Sequence, residues 1–287
     1  RIFLTKYNSA IRQPSCTFLP VATNGLAARG IARALVLSGG ISWAVTASAC
    51  GMASIVIYRV RFFVLISKIT TLLGQNGSGK TTLMKLICNI TEPTSGQIFI
   101  NSKNIKNISR NQLAKNISYV SQDRENLQGF TVYEYVEMGR FPYQNFMGTY
   151  DNSSKLIIDR SLKTVNMYDR KEEYVNNLSG GEMQILRIAR SLAQDVNLIL
   201  FDEPTSNLDI NNTIVVKELI LELKKQGKNI IISTHDINFA KSISEYIFMM
   251  KNGEIFDHGI TSKVLIKNNI IECYDLKKFE NLDIIVS

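Results

Sequence analysis

From Ile69 onward, short apolar runs alternate with longer stretches in which apolar residues recur every three or four positions. The short runs predict buried β-strands, and the longer stretches predict amphipathic helices. This alternation is typical of a parallel α/β fold, because parallel strands need crossover helices between them. We predict strands at Ile69–Leu73, Gln97–Ile100, Ile117–Val120, Leu198–Phe201, Asn229–Ser233, Ile247–Met250 and Glu254–Phe256. We predict helices at Lys80–Asn89, 131–139, 154–167, 181–194 and Asn212–Lys225, and a hairpin turn at Asn252-Gly253.

A glycine-rich loop follows the first of these strands directly. Residues 74–81 read Gly-Gln-Asn-Gly-Ser-Gly-Lys-Thr, which matches the G-x-x-x-x-G-K-[ST] pattern of phosphate-binding loops. Glycines let backbone N–H groups approach a triphosphate, and the following helix directs its positive dipole end at the same anion. The Lys80 ammonium would contact the β and γ phosphates, and the Thr81 hydroxyl would reach Mg²⁺. The residues predicted to bind ATP here are Gly74, Gln75, Asn76, Gly77, Ser78, Gly79, Lys80, Thr81 and Thr82.

Two carboxylates end the wholly apolar strand Leu198–Phe201, namely Asp202 and Glu203. In open α/β sheets, ligands bind at the carboxyl ends of the strands. We therefore expect Asp202 to hold Mg²⁺ through water and Glu203 to polarise the attacking water as a general base. An isolated Asp-Glu pair is often an ordinary solvated strand end, but the complete phosphate loop upstream favours the catalytic interpretation.

The first 68 residues differ in composition from the rest of the chain. They contain eight Lys or Arg and no acidic residue, and the first carboxylate is Glu92. The remaining 25 basic residues are matched by 25 acidic ones, so the net charge of +8 belongs to the N-terminal part and is a poor indication of nucleic-acid binding. Residues 34–58 carry no charge. Three interpretations stay open: a membrane-associated segment, an Arg-rich targeting extension, or a sequence foreign to the following domain.

A second motif, Leu-Ser-Gly-Gly-Glu at residues 178–182, opens the predicted helix at 181–194. Together with the phosphate loop and the acidic strand end, it resembles the signature of the ATP-binding cassette (ABC) ATPases. The resemblance covers roughly residues 69–287. It implies an α/β P-loop NTPase fold, with a RecA-like parallel sheet core and a helical subdomain inserted at about 123–178.

The resemblance also implies an active site that two chains share. Ser179, Gly180 and Gly181 would bind the γ-phosphate of a nucleotide held by a partner cassette, so that two cassettes sandwich two ATP molecules head to tail. The sequence Ser-Asn-Leu-Asp at 206–209 is similar to the D-loop of the family. Asp209 is therefore expected near ATP at the dimer interface.

Two further polar residues match motifs of the family. Gln122 corresponds to the Q-loop glutamine that senses Mg²⁺ and contacts the transporter, and His235 corresponds to the switch histidine at the γ-phosphate. The resemblance therefore implies catalytic roles for Glu203, His235 and Gln122. It implies metal contacts for Thr81, Gln122 and Asp202.

One part of the family pattern is missing from the sequence. ABC cassettes begin with two strands and an aromatic residue that stacks on adenine, some twenty or more residues before the phosphate loop. Here Tyr58 lies only sixteen residues before Gly74, in a stretch that does not read as those strands, and Lys68 replaces the usual glycine. We therefore expect an incomplete N-terminal antiparallel β part. The predicted domains are an atypical extension at 1–66 and the ABC ATPase domain at 67–287.

Softer motifs indicate one subgroup of the family. Phe130-Thr131-Val132 and the stretch 138–143 are similar to segments of ATPases that serve iron-siderophore, haem and cobalamin importers, and the tail 263–276 also looks like that group. An aromatic-rich segment that only packs the helical subdomain would read in the same way. The resemblance implies an ATPase that powers uptake of a metal chelate.

Its implied partners are a second copy of the cassette, a separate transmembrane permease and a substrate-binding protein that acts on the permease, with no nucleic acid. Four dispersed cysteines without a C-x-x-C pair indicate free thiols in a reducing compartment. We expect a peripheral protein at the cytoplasmic face of the cell membrane. The alternatives are a non-transport ABC ATPase, of the DNA repair, translation or Fe-S assembly type, and a nucleotide-binding module with impaired turnover.

Overall fold

The computed structural model describes residues 56–61, 69–100, 103–122, 127–145 and 149–276. Its strands are β1 (Val56–Arg61), β2 (Ile69–Gly74), β3 (Ser95–Ile100), β4 (Lys103–Asn104), β5 (Ile117–Val120), β6 (Leu198–Asp202), β7 (Asn229–Thr234), β8 (Tyr246–Lys251) and β9 (Glu254–Ile260). Its α-helices are α1 (Lys80–Ile87), α2 (Arg110–Ala114), α3 (Val132–Glu137), α4 (Asn152–Thr164), α5 (Gly180–Ala193), α6 (Ile210–Lys225), α7 (Ile237–Ile243), α8 (Thr261–Val264) and α9 (Lys267–Cys273). Short 3-10 helices lie at Ile105–Asn107, Met138–Tyr143, Tyr168–Arg170 and Val175–Asn177.

A six-stranded sheet with the order β5-β6-β7-β2-β8-β9 forms the centre of the fold. Within this order, β5, β6, β7, β2 and β8 pair in parallel with their neighbours, and β9 pairs antiparallel with β8. The turn between β8 and β9 contains Asn252 and Gly253, both with positive φ, as a two-residue hairpin turn requires. The predicted parallel α/β core and the predicted hairpin are therefore confirmed.

Both faces of the central sheet are covered, because its inner strands β2, β6 and β7 are buried at every position. On β7, Ile230 and Ile232 join the core beneath α5 and α6, whereas Ile231 joins the core beneath α1. Successive side chains of a strand point to opposite faces, so the alternation follows directly. The residues that contribute to the two cores from the helices include Leu186 of α5 and Leu83 of α1. The sheet is thus a rigid middle layer between helices.

A second, three-stranded sheet has the order β1-β3-β4. Strand β1 pairs in parallel with β3, with Val56 opposite Ser95 and Arg61 opposite Phe99, and β3 pairs antiparallel with β4. The stretch around Tyr58, which does not read as the two N-terminal strands of the family, thus forms one strand. Its β-branched and aromatic residues suit a strand, and the edge of β3 gives it a partner that local sequence cannot reveal. The boundary between residues 66 and 67 stays a prediction, but β1 lies on its N-terminal side.

The helices α3, α4 and α5 pack together beside the main sheet, and Arg140 joins them from the 3-10 helix that follows α3. The Arg140 side chain is buried; its Nε donates to Ser154 Oγ at 3.2 Å and Nη1 donates to the Ala193 carbonyl at 3.0 Å. The Tyr143 hydroxyl donates to the Gln194 carbonyl at 3.0 Å. The stretch 138–143 therefore satisfies carbonyl groups at the C-terminal end of α5, where the helix leaves them without partners.

The uncharged stretch 34–58, for which three interpretations stay open, lies largely outside the described residues, apart from its last three positions in β1. Within the part of the chain that the structure describes, no helix has both the length and the apolar character needed to span a membrane.

Replacing Gly139 with alanine should destabilise the fold. An ideal Cβ at Gly139 would lie 2.3 Å from the Arg190 carbonyl oxygen of α5, so the two segments must move apart. We expect the free energy of unfolding, measured by urea denaturation, to fall by about 1–3 kcal/mol. The matched variant Gly180→Ala, whose Cβ meets no atom within 4 Å, should not lose stability in this way. Equal stability of the two variants would contradict this packing.

Candidate active site

The phosphate loop lies between β2 and α1, and its three glycines are required for different reasons. Gly77 and Gly79 have φ values of 82° and 97°, in the left-handed region that favours glycine. A Cβ at Gly74 would lie 2.3 Å from the Met250 carbonyl oxygen of β8. The loop therefore combines two left-handed residues with one close approach to the neighbouring strand.

The loop residues predicted to bind ATP divide into an exposed rim and a buried base. Gln75, Asn76 and Gly77 are exposed, whereas Ser78 and Lys80 are buried and Gly79, Thr81 and Thr82 are half-buried. The Ser78 carbonyl accepts a hydrogen bond from the Gly253 N–H, at 3.1 Å, in the β8–β9 turn. The β8–β9 turn is thus hydrogen-bonded to the phosphate loop.

The Lys80 ammonium is held inside the curve of the loop. It donates to the carbonyls of Gly74 at 2.8 Å and Gln75 at 3.0 Å, and it lies 3.4 Å from Glu203 Oε1. Both members of this ion pair are buried. A buried charge needs such partners, and here they also orient the ammonium before any anion arrives.

Asp202 is the polar centre of the site, at the carboxyl end of β6. It is only 1% exposed and accepts hydrogen bonds from three hydroxyl groups. The donors are Thr81 at 3.0 Å, Tyr119 at 2.8 Å and Ser233 at 2.5 Å. These residues come from α1, β5 and β7, so the carboxylate ties the start of the helix to the ends of three adjacent strands. The Asp202 carboxylate and the Thr81 hydroxyl lie side by side, and both are hard oxygen ligands of the kind that Mg²⁺ prefers.

Glu203 follows in a backbone conformation that is rare for its residue type. Its φ is 50°, and its N–H donates to the Ser233 carbonyl at 3.1 Å and to Ser233 Oγ at 3.0 Å. Glu203 Oε2 lies 2.8 Å from His235 Nδ1, while the other carboxylate oxygen faces Lys80. Local strain that the surroundings hold in place is typical of functional sites. The structure thus brings three predicted site residues into one cluster.

Gln122 lies near this cluster and contacts the D-loop stretch. Its Nε2 donates to Ser206 Oγ at 3.1 Å. Gln122, Glu203, Ser206 and Gly180 all line one cavity of about 630 Å³. The metal contact predicted for Gln122 stays a prediction. The structure places Gln122 in the same cavity as Glu203, which follows the carboxyl end of β6.

The signature stretch forms the N-terminus of α5. Ser179 Oγ accepts a hydrogen bond from the Glu182 N–H at 3.3 Å, and Glu182 Oε2 accepts one from the Ser179 N–H at 2.8 Å, which makes a capping box. Glu182 also forms an ion pair with Arg170. The hydrogen bond from Arg170, followed by those of Ser179, lowers the pKa of Glu182 to about 2.

The two signature glycines have different surroundings. A Cβ at Gly181 would lie 2.2 Å from Asn212 Nδ2, whereas a Cβ at Gly180 would meet no atom within 4 Å. Asn212 belongs to the first turn of α6, which Asp209 caps by accepting from the Asn212 N–H at 2.7 Å. Gly181 and Asp209 therefore join α5 to α6 within the chain, and Gly180 leaves open space at the helix N-terminus for an anion.

The geometry of the phosphate loop, the carboxyl end of β6 and the signature helix agrees with one family. The family model described as ABC transporter matches residues 59–206, half of the chain. The chain belongs to the ABC transporter family. ATP-binding cassettes of this family are ATPases, and they bind ATP.

Curated relatives of this ABC cassette include two ATP-binding proteins from Bacillus subtilis (strain 168). The iron(3+)-hydroxamate import ATP-binding protein FhuC is 36% identical over 199 residues, which are 69% of this chain and 74% of the relative. The petrobactin import ATP-binding protein YclP is 34% identical over 210 residues, 73% of this chain and 82% of the relative. The family and the resemblance to siderophore-importer ATPases predicted from the sequence are thereby confirmed.

Two solved structures of ABC proteins have the same fold. An ABC transporter assigned to the metal-chelate type, in an inward-facing conformation, is 27% identical with a TM-score of 0.66, covering 76% of this chain and 82% of that one. A dimeric bacterial ABC transporter cassette is 26% identical with a TM-score of 0.64, covering 76% of this chain and 96% of that one. The predicted P-loop NTPase fold is confirmed.

Sequence reasoning missed several residues that shape this ABC site. Tyr119 and Ser233 donate to Asp202, and Arg170 holds the signature glutamate. Tyr119 and Ser233 each lie near the carboxyl end of a strand next to β6, a position that topology would have singled out.

Replacing Arg170 with glutamine should raise the pKa of Glu182 from about 2 toward its ordinary value near 4.5. Because the folded-state pKa of Glu182 is lowered, the ion pair stabilises the fold above the unfolded pKa, and this contribution is lost as the pH falls toward 2. Both side chains are more than one third exposed, so we expect a loss of less than about 1 kcal/mol at neutral pH.

Carboxyl NMR titration of Glu182 and urea unfolding at several pH values check this prediction. The stability difference between the two proteins should be present at neutral pH and vanish at the acid end. A Glu182 pKa that stays near 2 in the variant would contradict the assignment of Arg170 as its main cause.

Proposed function

We propose that this chain hydrolyses ATP to power the import of an iron–siderophore or related metal chelate through a separate permease. The observation that carries the proposal is the position of Glu203 between the Lys80 ammonium and the His235 imidazole, beside the phosphate loop. The functions of the relatives, import of iron(3+)-hydroxamate and of petrobactin, support the substrate class.

The residues divide the chemistry among themselves. Lys80 and the loop N–H groups bind the β and γ phosphates, and Glu203 accepts the proton of the attacking water as general base. His235 holds the Glu203 carboxylate in the orientation that this step needs. Thr81, Asp202 and Gln122 would hold Mg²⁺, which would supply positive charge to neutralise the phosphates.

Two copies of the chain share each active site in this proposal. Ser179, Gly180 and Gly181 of one copy face the γ-phosphate bound by the other, and Asp209 lies at the interface. The open space at Gly180 and the likeness to a dimeric cassette support this arrangement. A helix N-terminus carries positive partial charge, which favours the anion.

The proposed location follows from the partners. The cassette would bind peripherally at the cytoplasmic face of the membrane, against the permease, and a substrate-binding protein would deliver the chelate to the permease from the other side. The named relatives are import proteins, which favours transport over DNA repair, translation or Fe-S assembly. The intact cluster around Glu203 favours full turnover over an impaired module.

Replacing Glu203 with glutamine should lower the ATP turnover number by at least about 100-fold, because the general base is lost. ATP binding should persist, since Lys80 keeps the loop carbonyls and gains freedom to contact phosphate. The matched variant Glu218→Gln, on the exposed face of α6, should turn over normally. Measurement of phosphate release and of ATP affinity checks both expectations. Unchanged turnover in the Glu203 variant would refute its assignment as the base.

The substrate class needs a separate test. Vesicles that contain the chain with its cognate permease should take up radioactive iron as a hydroxamate complex, with ATP on the side of the cassette. Vesicles that carry Glu203→Gln should not. ATP hydrolysis without uptake of any iron chelate would overturn the substrate class and leave the ATPase assignment intact.

A further inference from the structure

The end of the described chain returns to the phosphate loop. Helix α9 packs on β8, with Ile270 and Cys273 buried. The Lys251 ammonium, at the end of β8, donates to the Glu272 carbonyl at 2.5 Å and pairs with Asp275 at 2.6 Å. These contacts fix the position of Tyr274, which lies between Glu272 and Asp275.

Tyr274 makes one hydrogen bond to each of two separate parts of the candidate active site. Its carbonyl oxygen accepts from Gln75 Nε2 at 2.8 Å, and its hydroxyl donates to the His235 carbonyl at 3.3 Å. Gln75 is part of the phosphate loop, and the His235 side chain contacts Glu203. A single residue, 199 positions away from Gln75 in sequence, thus joins the loop that would bind phosphate to the backbone that carries the imidazole.

The Tyr274 hydroxyl remains a donor under physiological conditions. Burial raises its pKa above the ordinary tyrosine value, and Cys273 and the carboxylates of Glu203 and Asp236 raise it further. A protonated hydroxyl has a hydrogen to offer, and the His235 carbonyl is an acceptor.

The backbone on either side of His235 is also constrained. Thr234 ends β7, and Asp236 caps α7 by accepting from the Phe239 N–H at 3.0 Å. The link from Tyr274 acts on the residue between these two fixed points. Small shifts there would move the imidazole, because its ring lies only two rotatable bonds from the backbone.

We propose that Tyr274 is a positioning residue for ATP hydrolysis, whose hydroxyl holds the His235 backbone so that the imidazole stays on Glu203. Its carbonyl meanwhile holds Gln75 at the rim of the phosphate loop. The inference rests on the proposed function, in which Glu203 is the general base. It assigns a role in the active site to the C-terminal segment, which carries none of the residues predicted for the site.

The variant Tyr274→Phe tests the hydroxyl alone, since the ring and the backbone carbonyl remain. We expect kcat to fall roughly threefold to tenfold, the effect of one lost hydrogen bond, and the Kd for ATP to stay unchanged. The chain has two histidines, so ring NMR signals can be followed for each. The His235 signal should shift, and the His258 signal should not. The control Tyr143→Phe deletes a comparable hydroxyl-to-carbonyl bond in the helical subdomain and should change none of these values.

Unchanged kcat and an unchanged His235 signal in Tyr274→Phe would overturn the proposal, as would an equal effect of Tyr143→Phe. If Tyr274→Phe lost its fold, Lys251→Met would carry the test, because it releases the same segment at its anchor and should give the same fall and the same shift. The variant His235→Ala separates the two proposals. Normal turnover of His235→Ala would refute the role of His235 itself, whereas its inactivity beside a normal Tyr274→Phe would refute only the positioning role.

Discussion

The buried carboxyl end of β6 is the constraint on which the rest of this site depends. Two adjacent carboxylates, Asp202 and Glu203, lie almost without solvent at the end of a wholly apolar strand. Such groups are tolerated in an interior only with hydrogen-bond and charge partners. The strand order β5-β6-β7 brings Tyr119 and Ser233 next to β6, and Lys80 and Thr81 reach the two carboxylates from the phosphate loop. The strand order that forms the fold is therefore also the order that the two buried carboxylates need.

Three glycines pack closely against neighbouring elements of the structure. Gly74 lies against β8, Gly181 against Asn212 of α6, and Gly139 against the end of α5. Gly74 and Gly139 exclude a side chain because a backbone carbonyl approaches them, Gly181 faces the end of the Asn212 side chain, and Gly180 is open. A shared signature motif thus contains one glycine that joins two helices and one that leaves room for a ligand. The difference matters for interpreting variants, because loss of fold and loss of binding give the same loss of activity.

Local sequence predicted much of this architecture. The apolar runs located the central strands, and the loop at 74–81 and the carboxylates after Phe201 were located by patterns that hold over a few residues. Local sequence could not predict the contacts between distant segments. Strand β1 exists because β3 offers an edge to it, and Tyr119 and Ser233 act on Asp202 because of strand order. The link from Tyr274 to Gln75 spans 199 positions, and no short pattern encodes it.

The central claim is that one chain carries half of each active site, and mixing two inactive variants tests it most directly. Lys80→Ala retains its signature helix, and Gly180→Asp retains its phosphate loop while placing a negative charge where the partner's phosphate would bind. Each alone should be inactive. A one-to-one mixture should recover about a quarter of normal turnover, because half of the dimers then contain one complete site. A mixture as inactive as its components would contradict the shared site, and so would full activity of Gly180→Asp alone.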